Sequence, residues 1–493
     1  MDTQLQLQQV ESKGALTNID ASFVYRHRFI LSLLQKMSFY QRLDLKNELD
    51  QYTNKLGFHH YKHDIHIPLI PLILDRSQIV KQLKDLEFIL HALGKFENYA
   101  FSHSGKGLLK SISSSAPEEW ITLMRIAQRE PLQSKKMRNK RFDCFIRDGN
   151  LIVLELNSIC PQGILPFYIL EERRQMLYNK LGIEGPIKVD IIKELLNWFL
   201  NEHKFRNPSE VVKNIGIIFE TKEEPGFQFP IFSRLLKKKA LEVYGLNLNV
   251  YLGSPQQVSL NNKKNKMYLK GKPIDVIWKN AITSLDYDFS SYGYKKSKSK
   301  LDVKDFLTII SNSDRFTVIN SERSRFFSFK KIFAYLSNPL LQATIKLSGE
   351  EKLAIKKHIP QTFDISNCNR NFLLQYKDQL IVKDALGSYG NGIYFGKNYS
   401  SAEWKKLVDT FKKDNNFIVQ EYLDYKKNQL PIIDIDKEGR IAIENLVADF
   451  NPQHINGAFL GSGWSRFKKY QESSKLAPLN LSSGGGQICV ELV

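Results

Sequence analysis

The stretch RFDCFIRDGNLIVLELNSICPQG, residues 141–163, contains two strand-like runs on either side of a turn-prone tetrad, RDGN. The runs cover residues 141–147 and 151–157. The second run is apolar enough to lie in a buried sheet, yet it carries Glu155 and Asn157 near its end. Which polar residues of the first run share a sheet face with these two depends on the loop between the runs.

The length of this loop decides the register. A three-residue loop at positions 148–150 places Asp143 opposite Glu155. The same register places Arg141 opposite Asn157, so that all four side chains share one face of the hairpin. A two-residue loop shifts the pairing by one position and puts the two carboxylates on opposite faces. Both registers are compatible with the sequence alone.

The three-residue register predicts a metal site. Two carboxylates directly across a strand pair, with Cβ atoms ~5 Å apart, repel each other unless a cation lies between them. Mg²⁺ binds carboxylate and amide oxygens together with substrate phosphate oxygens. We therefore expect Asp143, Glu155 and Asn157 to be metal ligands, with nucleotide phosphates completing the coordination shell. The alternative is a hairpin that exposes ordinary polar residues to water.

A glycine-rich segment near the other end of the chain, DQLIVKDALGSYGNGIYFGKN, has the composition of a phosphate-binding loop. It predicts a short apolar strand that ends in a lysine, then a loop, then a second strand. Glycine lets backbone N–H groups approach a phosphate closely, and the lysine adds a positive charge. The spacing fits neither the GxxxxGK[ST] loop nor a GxGxxG turn that leads into a helix. The predicted phosphate ligands are Lys383, Gly387, Gly390 and Gly392.

The segment that follows strengthens this interpretation. An amphipathic helix, SAEWKKLVDTFKK, precedes the apolar strand NFIVQEYLDY. We expect backbone groups at the end of this strand to meet the edge of an adenine base. The residues predicted to contact the nucleotide here are Gln420, Glu421 and Leu423.

The order of lysine strand, glycine-rich loop, helix and IVQEYL strand resembles the nucleotide-binding half of the ATP-grasp fold, which holds ATP between two α+β lobes. In ordinary members a metal motif, E-x-N, follows this half, whereas here ELN at residues 155–157 comes long before it. The chain therefore resembles the circularly permuted ATP-grasp family, whose relatives include glutathionylspermidine synthase. The metal pattern of that family, R-x-D followed after eleven residues by E-x-N, is met by Arg141, Asp143, Glu155 and Asn157.

Further segments resemble that family, so that the resemblance covers about residues 136–493. They are GKPIDVIWKN, FTVIN with KKIFAYL, IPQTF, and a tail, GSGWSRFKKYQESSKLAPLNLSSGGGQ, in which an arginine and then an asparagine precede paired glycines. Two residues depart from the family pattern: Asp384 stands where a proline is usual, and Lys279 where an arginine is usual. The first departure leaves the shape of the loop open, and the second leaves the acceptor or nucleotide contacts open.

The resemblance implies an α+β or α/β fold: a circularly permuted ATP-grasp core, a preceding α/β (pre-ATP-grasp) domain and a mainly helical N-terminal region. The alternation of strand and helix from Asn214 onward agrees with an α/β unit. Residues 77–96 show the three-and-four apolar spacing of a helix, with Ser77 as its N-cap. The polar stretch 283–304 is expected to be a loop or linker. The predicted limits are 1–135 for the helical region, 136–190 for the metal-binding hairpin segment, 191–300 for the α/β domain and 301–493 for the nucleotide-binding lobes.

The function that the resemblance implies is an ATP-dependent carboxylate–amine ligase. A carboxylate attacks the γ-phosphate of ATP, an amine captures the acylphosphate, and ADP and phosphate are released. The implied cofactors are ATP and Mg²⁺, and the implied substrates are a small-molecule or peptide carboxylate and an amine acceptor. Arg141 and Arg466 are expected to steady the transferring group. Lys331 is expected to join Lys383 at the nucleotide phosphates, and Asn480 to close the site.

Composition and charge leave two other functions open. The formal net charge of +19 suits an anionic partner, but the lysine runs lie far apart and no nucleic-acid module appears, so nucleic acid is not the expected main partner. No segment reaches the ~18 apolar residues of a membrane span, and the first residues lack a signal pattern, so a cytoplasmic location without membrane binding is expected. The alternatives are a non-catalytic nucleotide-binding protein of the same fold and a basic scaffold for an anionic partner. The oligomeric state stays open, with a homodimer among the alternatives.

Overall fold

The structure is a computed structural model. The residues it describes are 21–57, 65–114, 116, 118–126, 138–147, 149–158, 163–186, 188–219, 228–280, 287–288, 295–296, 304–312, 315–387, 390–414, 416–424, 429–469, 475–479 and 485–493.

The α-helices of the described residues fall into an N-terminal group, a middle group and a C-terminal group. They are α1 (Ala21–Lys36), α2 (Phe39–Lys55), α3 (Arg76–Ala100), α4 (Lys106–Ile112), α5 (Glu118–Ile126), α6 (Ile164–Leu181), α7 (Ile191–Arg206), α8 (Gln228–Tyr244), α9 (Lys304–Ser311), α10 (Lys331–Leu336), α11 (Pro339–Thr344), α12 (Gly349–His358), α13 (Arg370–Gln375) and α14 (Ser401–Asp414). None of these helices combines the length and apolar composition that a bilayer span requires.

The strands of the described residues form five sheets. They are β1 (Leu72–Leu74), β2 (Lys140–Arg147), β3 (Asn150–Asn157), β4 (Asn214–Phe219), β5 (Asn249–Gly253), β6 (Val258–Asn261), β7 (Lys266–Leu269), β8 (Lys272–Ile274), β9 (Val276–Asn280), β10 (Tyr287–Asp288), β11 (Lys295–Lys296), β12 (Thr317–Ile319), β13 (Thr362–Asp364), β14 (Leu380–Asp384), β15 (Ile393–Phe395), β16 (Phe417–Glu421), β17 (Gln429–Ile435), β18 (Ile441–Ile455), β19 (Ala458–Lys468) and β20 (Gly486–Leu492). The stretch 283–304, predicted to be a loop or linker, lies outside the described residues except for β10, β11 and residue 304.

Helix α3 confirms the helix predicted over residues 77–96. Its N-cap is Asp75, whose side chain accepts a hydrogen bond from the backbone N–H of Gln78, so the predicted N-cap, Ser77, is wrong. A carboxylate one residue before the helix satisfies an amide that has no partner within the helix. The buried apolar positions of α3 belong to the largest apolar core and are Ile79, Leu83, Leu86, Ile89, Ala92, Leu93, Phe96 and Ala100.

One large sheet joins strands from both ends of the described chain. Its order is β1, β20, β19, β18, β2, β3, and β17 pairs with β18 as well. Strand β18 is 15 residues long and pairs with β17 through residues 441–447 and with β2 through residues 449–454. The hairpin of β2 and β3 therefore extends a sheet whose central strands come from the last part of the chain.

The hairpin of β2 and β3 has the predicted cross-strand pairs. Asp143 pairs with Glu155, and Arg141 pairs with Asn157. These pairs are confirmed, and they put all four residues on neighbouring positions of one sheet edge.

The turn of the hairpin is the shorter of the two that the sequence left open. Arg147 pairs with Asn150, which leaves two residues in the turn, so the three-residue loop on which the metal-site expectation depended is absent. The register shifts between Asp143 and Cys144, where β3 holds one extra residue, Leu154. This β-bulge restores the pairs that the shorter turn alone would have shifted by one position.

The bulge also sets which side chains of β3 face the core. Leu151 and Val153 are buried before it, and Leu156 is buried after it, so the alternation changes phase at the bulge. If β3 kept Leu154 but alternated regularly, with no bulge, Glu155 and Asn157 would continue the buried side of the strand. With the bulge, both point away from the apolar core.

A second sheet is fully parallel, in the order β12, β9, β4, β5. It confirms the α/β unit predicted from Asn214 onward, because helix α8 connects β4 to β5. The segment KMYLKGKPIDVIWKN, residues 266–280, forms three strands: β7 and β8 pair with each other beside β6, and β9 enters the parallel sheet. Strand β12 lies beyond residue 300, the predicted end of the α/β domain.

Asn320 connects the parallel sheet to the base of the hairpin. It follows β12 in a left-handed conformation with φ of 53°. Its buried side chain accepts a hydrogen bond from the N–H of Asn139 at 3.0 Å and donates to the carbonyl oxygens of Asn139 at 3.1 Å and Ser158 at 2.5 Å. Because Asn139 precedes β2 and Ser158 follows β3, one amide fixes both strands against the end of the parallel sheet.

The third sheet that matters for the site is antiparallel, in the order β13, β16, β14, β15. The predicted strands and the predicted helix α14 are confirmed here. One face of this sheet packs on α14 through an apolar cluster that includes Val382, Trp404 and Val419. Alternation along the strands puts Lys383 and Gln420 on the opposite face.

That opposite face meets the large sheet. Ile381, Phe395 and Tyr422 of the small sheet form an apolar cluster with Val447 of the large sheet and with Leu476, and Phe145 of β2 packs against it. The polar face of the hairpin and the lysine face of the small sheet therefore lie on the two sides of one interface. We call the polar residues that meet there the intersheet site: Arg141, Asp143, Glu155, Asn157, Lys330, Lys383, Gln420, Asp449 and Arg466.

Candidate functional site between the two sheets

Asp143 lies between two arginine side chains. Its Oδ1 accepts a hydrogen bond from Arg141 Nε at 2.7 Å, and its Oδ2 accepts one from Arg466 Nη2 at 2.8 Å. Burial alone would raise the pKa of Asp143, but the two guanidinium groups outweigh burial and hold the pKa at about 2. The carboxylate is therefore ionised, and both arginines predicted to be catalytic contact the predicted metal hairpin.

Asn157 joins Asp143 to Glu155. Its Nδ2 donates to Asp143 Oδ1 at 3.3 Å and to Glu155 Oε1 at 3.2 Å. A flip of this amide exchanges nitrogen for oxygen and brings three oxygens toward one point, which is the donor set that Mg²⁺ prefers. The described residues contain no group of three or more His, Cys, Asp or Glu side chains placed for a metal ion. The mixed set of two carboxylates and one amide fits a hard cation, although Asp143 is also bound to both arginines.

Lys383 is buried at the lysine face of the small sheet. Its Nζ donates to Gln420 Oε1 at 2.6 Å, and Gln420 Nε2 donates to Thr362 Oγ1 at 3.0 Å. The pKa of Lys383 is lowered to about 8, chiefly by burial. The charge of Glu155 opposes this lowering, and the charge of Lys330 adds to it. Lys383 and Glu155, which lie far apart in the sequence, thus act on each other electrostatically. Gln420 orients the lysine through its side chain, a role that was not predicted from the sequence.

Lys330 reaches this group of charges, and Lys331 lies beside β13 of the same small sheet. Lys330 Nζ lies 3.7 Å from Glu155 Oε2 and donates a hydrogen bond to the carbonyl oxygen of Gly387. Lys331 forms an ion pair of 3.2 Å with Asp364. The predicted lysine was the second of the KK pair, whereas the structure brings the first one to the intersheet site. Two adjacent lysines at the start of a helix cannot be told apart without the helix position.

The glycine-rich loop is shaped by Asp384, the residue that replaces the usual proline. Its Oδ1 accepts hydrogen bonds from the N–H groups of Leu386 at 2.8 Å and Gly387 at 3.1 Å. Gly392 has φ of 70°, and a Cβ there would lie 2.6 Å from Asp384 Cβ. Gly390 also has a left-handed φ, of 80°. The first two amides of the loop are therefore bound by a side chain of the protein, and the two later glycines are required by their backbone conformation.

The end of β16, where backbone groups are expected to meet an adenine base, lies beside the apolar cluster. Leu423 is buried, and the neighbouring Tyr422 ring lies 4.6 Å from Lys397 Nζ. Glu421 is half-exposed and lies 3.9 Å from Arg147 at the tip of the hairpin. An exposed ion pair at this distance contributes little to stability, so Glu421 is available to a ligand.

The tail of the chain contributes only partly to the described site. Asn480, predicted to close the site, lies outside the described residues. Leu476, which is described, packs in the apolar cluster and is held by Asn398, whose Nδ2 donates to the Leu476 carbonyl oxygen at 2.7 Å. Asn398 Oδ1 accepts from the Leu476 N–H at 2.8 Å. This segment therefore borders the place where the base is expected.

Lys279, the second departure from the family pattern, is bound within the protein. Its Nζ donates to Glu322 Oε1 at 2.5 Å, and Glu322 Oε2 accepts from Arg325 Nη2 at 2.7 Å. All three side chains are buried. Burial would raise the pKa of Glu322, but Arg325 and Lys279 hold it at about 2. Lys279 is thus engaged in an ion triad at the end of β9.

Asp449 and Asn451 on β18 are polar residues of the site that sequence reasoning missed. Asp449 Oδ2 accepts from Arg466 Nε at 2.7 Å, and Asn451 Nδ2 donates to Asp449 Oδ1 at 2.7 Å. No role was predicted for Asp449 because a lone carboxylate in a strand is usually a structural side chain. The pairing of β18 with β19 was the missing information, since it places Asp449 opposite Arg466.

One comparison with known proteins, the comparison with solved structures, finds a protein of similar fold. No protein-family model matches the chain, and no curated protein matches it. The structure of a glutathione synthetase-like effector from Globodera pallida, in its apo form, is similar with a TM-score of 0.60 at 11% sequence identity, covering 93% of this chain and 98% of that chain. The chain has an ATP-grasp-like fold. The structure of D-alanyl-alanine synthetase A from Vibrio cholerae O1 covers 49% of this chain and 68% of that chain, with a TM-score of 0.25 at 10% identity.

The first likeness spans nearly the full length of both chains. The similarity therefore concerns the fold of most of the chain rather than one part of it. At this level of identity the likeness describes the fold, and the chemistry rests on the side chains of this protein.

Proposed function

We propose that the protein is an ATP-dependent carboxylate–amine ligase, built as a circularly permuted member of the ATP-grasp fold. The observation that carries this proposal is the meeting of Glu155 with Lys330 and Lys383 in the intersheet site. A metal-binding hairpin and a phosphate-binding lysine serve the same ligand if nucleotide phosphates lie between them. The permuted order is supported by the large sheet, in which the early hairpin pairs with the late strand β18.

The nucleotide would lie between the two sheets. Lys383 and Lys330 carry positive charge toward the place of the phosphates, and the apolar cluster around Tyr422 offers a flat, dry surface for the base. The low dielectric of a buried site strengthens the attraction between ammonium and phosphate. The pKa of Lys383 in the free protein is lowered to about 8. A bound phosphate would raise this pKa again, because a nearby negative charge favours the protonated lysine.

Asp143, Glu155 and Asn157 would hold Mg²⁺ at the hairpin. When bound, the ion neutralises the charge that develops on the phosphate oxygens. The contribution of the chain is to keep Glu155 and the Asn157 amide within hydrogen-bonding distance of each other before the ion arrives. The bulge of β3 provides this arrangement, because it turns both side chains out of the core.

The reaction has two steps. A carboxylate oxygen of the substrate attacks the γ-phosphorus of ATP, the bond to the β–γ bridging oxygen breaks, and ADP leaves. The nitrogen of an amine then attacks the acyl carbon, phosphate leaves with the bonding electron pair, and the nitrogen loses a proton to form the amide. Arg141 and Arg466 lie beside the hairpin and would stabilise the charge on the transferring group.

The proposed substrates are a small-molecule or peptide carboxylate and an amine acceptor, in the cytoplasm, with neither nucleic acid nor membrane as partner. One observation favours a second function, nucleotide binding without turnover. Both oxygens of Asp143 are bound to arginine side chains. A site that keeps these contacts with nucleotide present would bind phosphates but bring one carboxylate fewer to the metal.

Turnover of magnesium ATP distinguishes the two functions. The experiment follows ADP and phosphate release with pools of amino acids, short peptides and polyamines, for the wild-type protein and for Lys383→Met. The ligase predicts release that depends on a carboxylate and increases with an amine. Saturable ATP binding without release in any pool would support the non-catalytic function, and AMP with pyrophosphate as products would contradict γ-phosphoryl transfer.

A further inference from the structure

Asp449 is a buried carboxylate in β18, between the apolar residues Ala448 and Phe450. It is 2% exposed. Burying an ionised carboxylate costs several kcal/mol unless charged partners and hydrogen bonds compensate. Burial raises the pKa of Asp449, the charge of Arg466 opposes this rise, and the charge of Asp143 adds to it. The pKa of Asp449 is raised overall, and Arg466 is the group that opposes this rise.

Asp449 binds Arg466 at two points. Its Oδ1 accepts a hydrogen bond from the backbone N–H of Arg466 at 2.6 Å, and its Oδ2 accepts one from Nε at 2.7 Å. Asn451 donates to Asp449 Oδ1 at 2.7 Å and accepts from Arg466 Nη2 at 3.3 Å. The strand position and the guanidinium plane of Arg466 are therefore fixed by the same carboxylate.

These contacts leave one corner of the guanidinium group for a ligand. Nε is bound by Asp449, and Nη2 lies 2.6 Å from Asp449 Oδ2 and is also bound by Asp143, at 2.8 Å, and by Asn451. Among the described residues, no hydrogen bond or ion pair of Arg466 uses Nη1. The side chain is 17% exposed, so it is reachable from the space between the sheets.

We propose that Asp449 is a positioning residue for the ligase reaction: it holds Arg466 so that Nη1 faces the transferring phosphoryl group or the acylphosphate. This inference rests on the proposed function. A free arginine side chain has many rotamers, and a guanidinium group that is already fixed need not lose that freedom during the reaction. Asp449 thus supplies a preorganised cation beside the metal hairpin, and it contacts no substrate itself.

A purely structural role for Asp449 makes different predictions. An ion pair that only stabilises the sheet would lower the melting temperature when broken, and it would leave the catalytic rate of the folded protein unchanged. A positioning role lowers kcat, leaves the KM for ATP unchanged, and requires Arg466. Asp449→Asn keeps the size of the side chain and removes its charge.

The first measurement compares Asp449→Asn with Asp434→Asn. Asp434 is a matched control, because it lies on β17 of the same sheet and pairs with Lys46 at 3.3 Å, away from the intersheet site. We expect Asp449→Asn to lower kcat on the order of tenfold to a hundredfold with an unchanged KM for ATP. We expect Asp434→Asn to keep the wild-type kcat. Equal kcat for Asp449→Asn and the wild type would overturn the proposal.

The second measurement remains decisive if Asp449→Asn folds poorly. Arg466→Ala leaves Asp449 in place and opens a guanidinium-sized gap, so added guanidinium at millimolar concentration should restore part of kcat. The double variant Asp449→Asn/Arg466→Ala should show no such rescue. Equal rescue in both would overturn the proposal. A wild-type protein without any turnover would instead refute the proposed function itself, which keeps the two failures distinguishable.

Discussion

Glu155 is the residue at which the hairpin meets the two lysines. It is accessible to a ligand, since its side chain is 34% exposed, and its described partners are Asn157 and Lys330. Glu155→Gln keeps its size and removes the charge that would bind Mg²⁺. We expect magnesium-dependent ADP release to fall on the order of a hundredfold or more, with a melting temperature close to that of the wild type.

Glu444→Gln is the control for this variant. Glu444 lies on β18 and pairs with Lys469 at 2.9 Å, and both side chains are largely exposed. It should leave ADP release unchanged. Near wild-type turnover in Glu155→Gln would remove the metal hairpin from the proposed mechanism.

Lys383 gives the binding of nucleotide a pH dependence. Its pKa in the free protein is about 8 because burial disfavours the charged form. As pH rises through about 8, the free protein loses the proton and with it the charge that attracts phosphate, so ATP affinity should fall. Isothermal titration between pH 7 and 10 should show this fall in the wild type and weak binding with little further fall in Lys383→Met.

Lys406→Met serves as the matched control, because Lys406 is exposed on α14. It should bind ATP with the affinity and pH dependence of the wild type. If Lys383→Met and the wild type had the same affinity at pH 7, the glycine-rich hairpin would be an ordinary surface feature.

The bulge of β3 is the element-scale feature that the sequence could not supply. The residue types of the hairpin left two registers open, and the one that places Asp143 opposite Glu155 is present. The predicted cause was a longer turn, whereas the structure uses a two-residue turn and one extra residue at Leu154. Both arrangements shift the register by one residue, so pattern reasoning gives the same pairs for either. Only the burial of Val153 and Leu156 on the two sides of the bulge distinguishes them.

Deletion of Leu154 tests this explanation. The deletion removes the extra residue but keeps Asp143 opposite Glu155 and Leu156 in the core. We expect a folded protein that keeps magnesium-dependent ATP binding. Deletion of Leu156 is the contrasting variant, because it turns Asn157 toward the core and should abolish binding, as measured by calorimetry. Loss of binding in the Leu154 variant with a preserved fold would show that the bulge itself shapes the site.

The glycine-rich loop is predictable as a loop, and its internal contacts are not. Glycine content indicated left-handed conformations, which Gly390 and Gly392 adopt. The hydrogen bonds from the amides of Leu386 and Gly387 to Asp384 depend on the path of the loop, which the sequence does not show. The same limit explains the choice of Lys331 over Lys330, since only the start of α10 decides which lysine faces the site.

Gly392→Ala tests the loop. Alanine at φ of 70° costs roughly 1–2 kcal/mol of backbone strain, and its Cβ would also lie 2.6 Å from Asp384 Cβ. Gly271 has φ of 72°, and a Cβ added there would meet no heavy atom within 4 Å, so Gly271→Ala introduces the strain without the clash. Titration with an ATP analogue should show weakened binding for Gly392→Ala only. Equal affinity in the two variants would separate the loop from nucleotide binding.

At the scale of the whole molecule, the sequence pointed to two halves, and the structure brings them together. The metal hairpin and the phosphate loop each had an ordinary explanation when considered separately. The resemblance supplied the reason to join them, and the apolar cluster between the large and the small sheet supplies the physical connection. The parallel sheet was predictable from its buried strands, whereas its fourth strand, β12, lies beyond the predicted limit because pairing between distant segments leaves no local signal.

The central claim is that a carboxylate is activated by γ-phosphoryl transfer. The most direct test uses pools of amino acids and short peptides whose carboxylates carry a heavy oxygen isotope, together with magnesium ATP and a pool of amines. Formation and capture of an acylphosphate moves one carboxylate oxygen into the released phosphate. We therefore predict singly labelled phosphate together with ADP and a new amide, as measured by mass spectrometry. Unlabelled phosphate, or AMP with labelled carboxylate oxygen, would contradict this account.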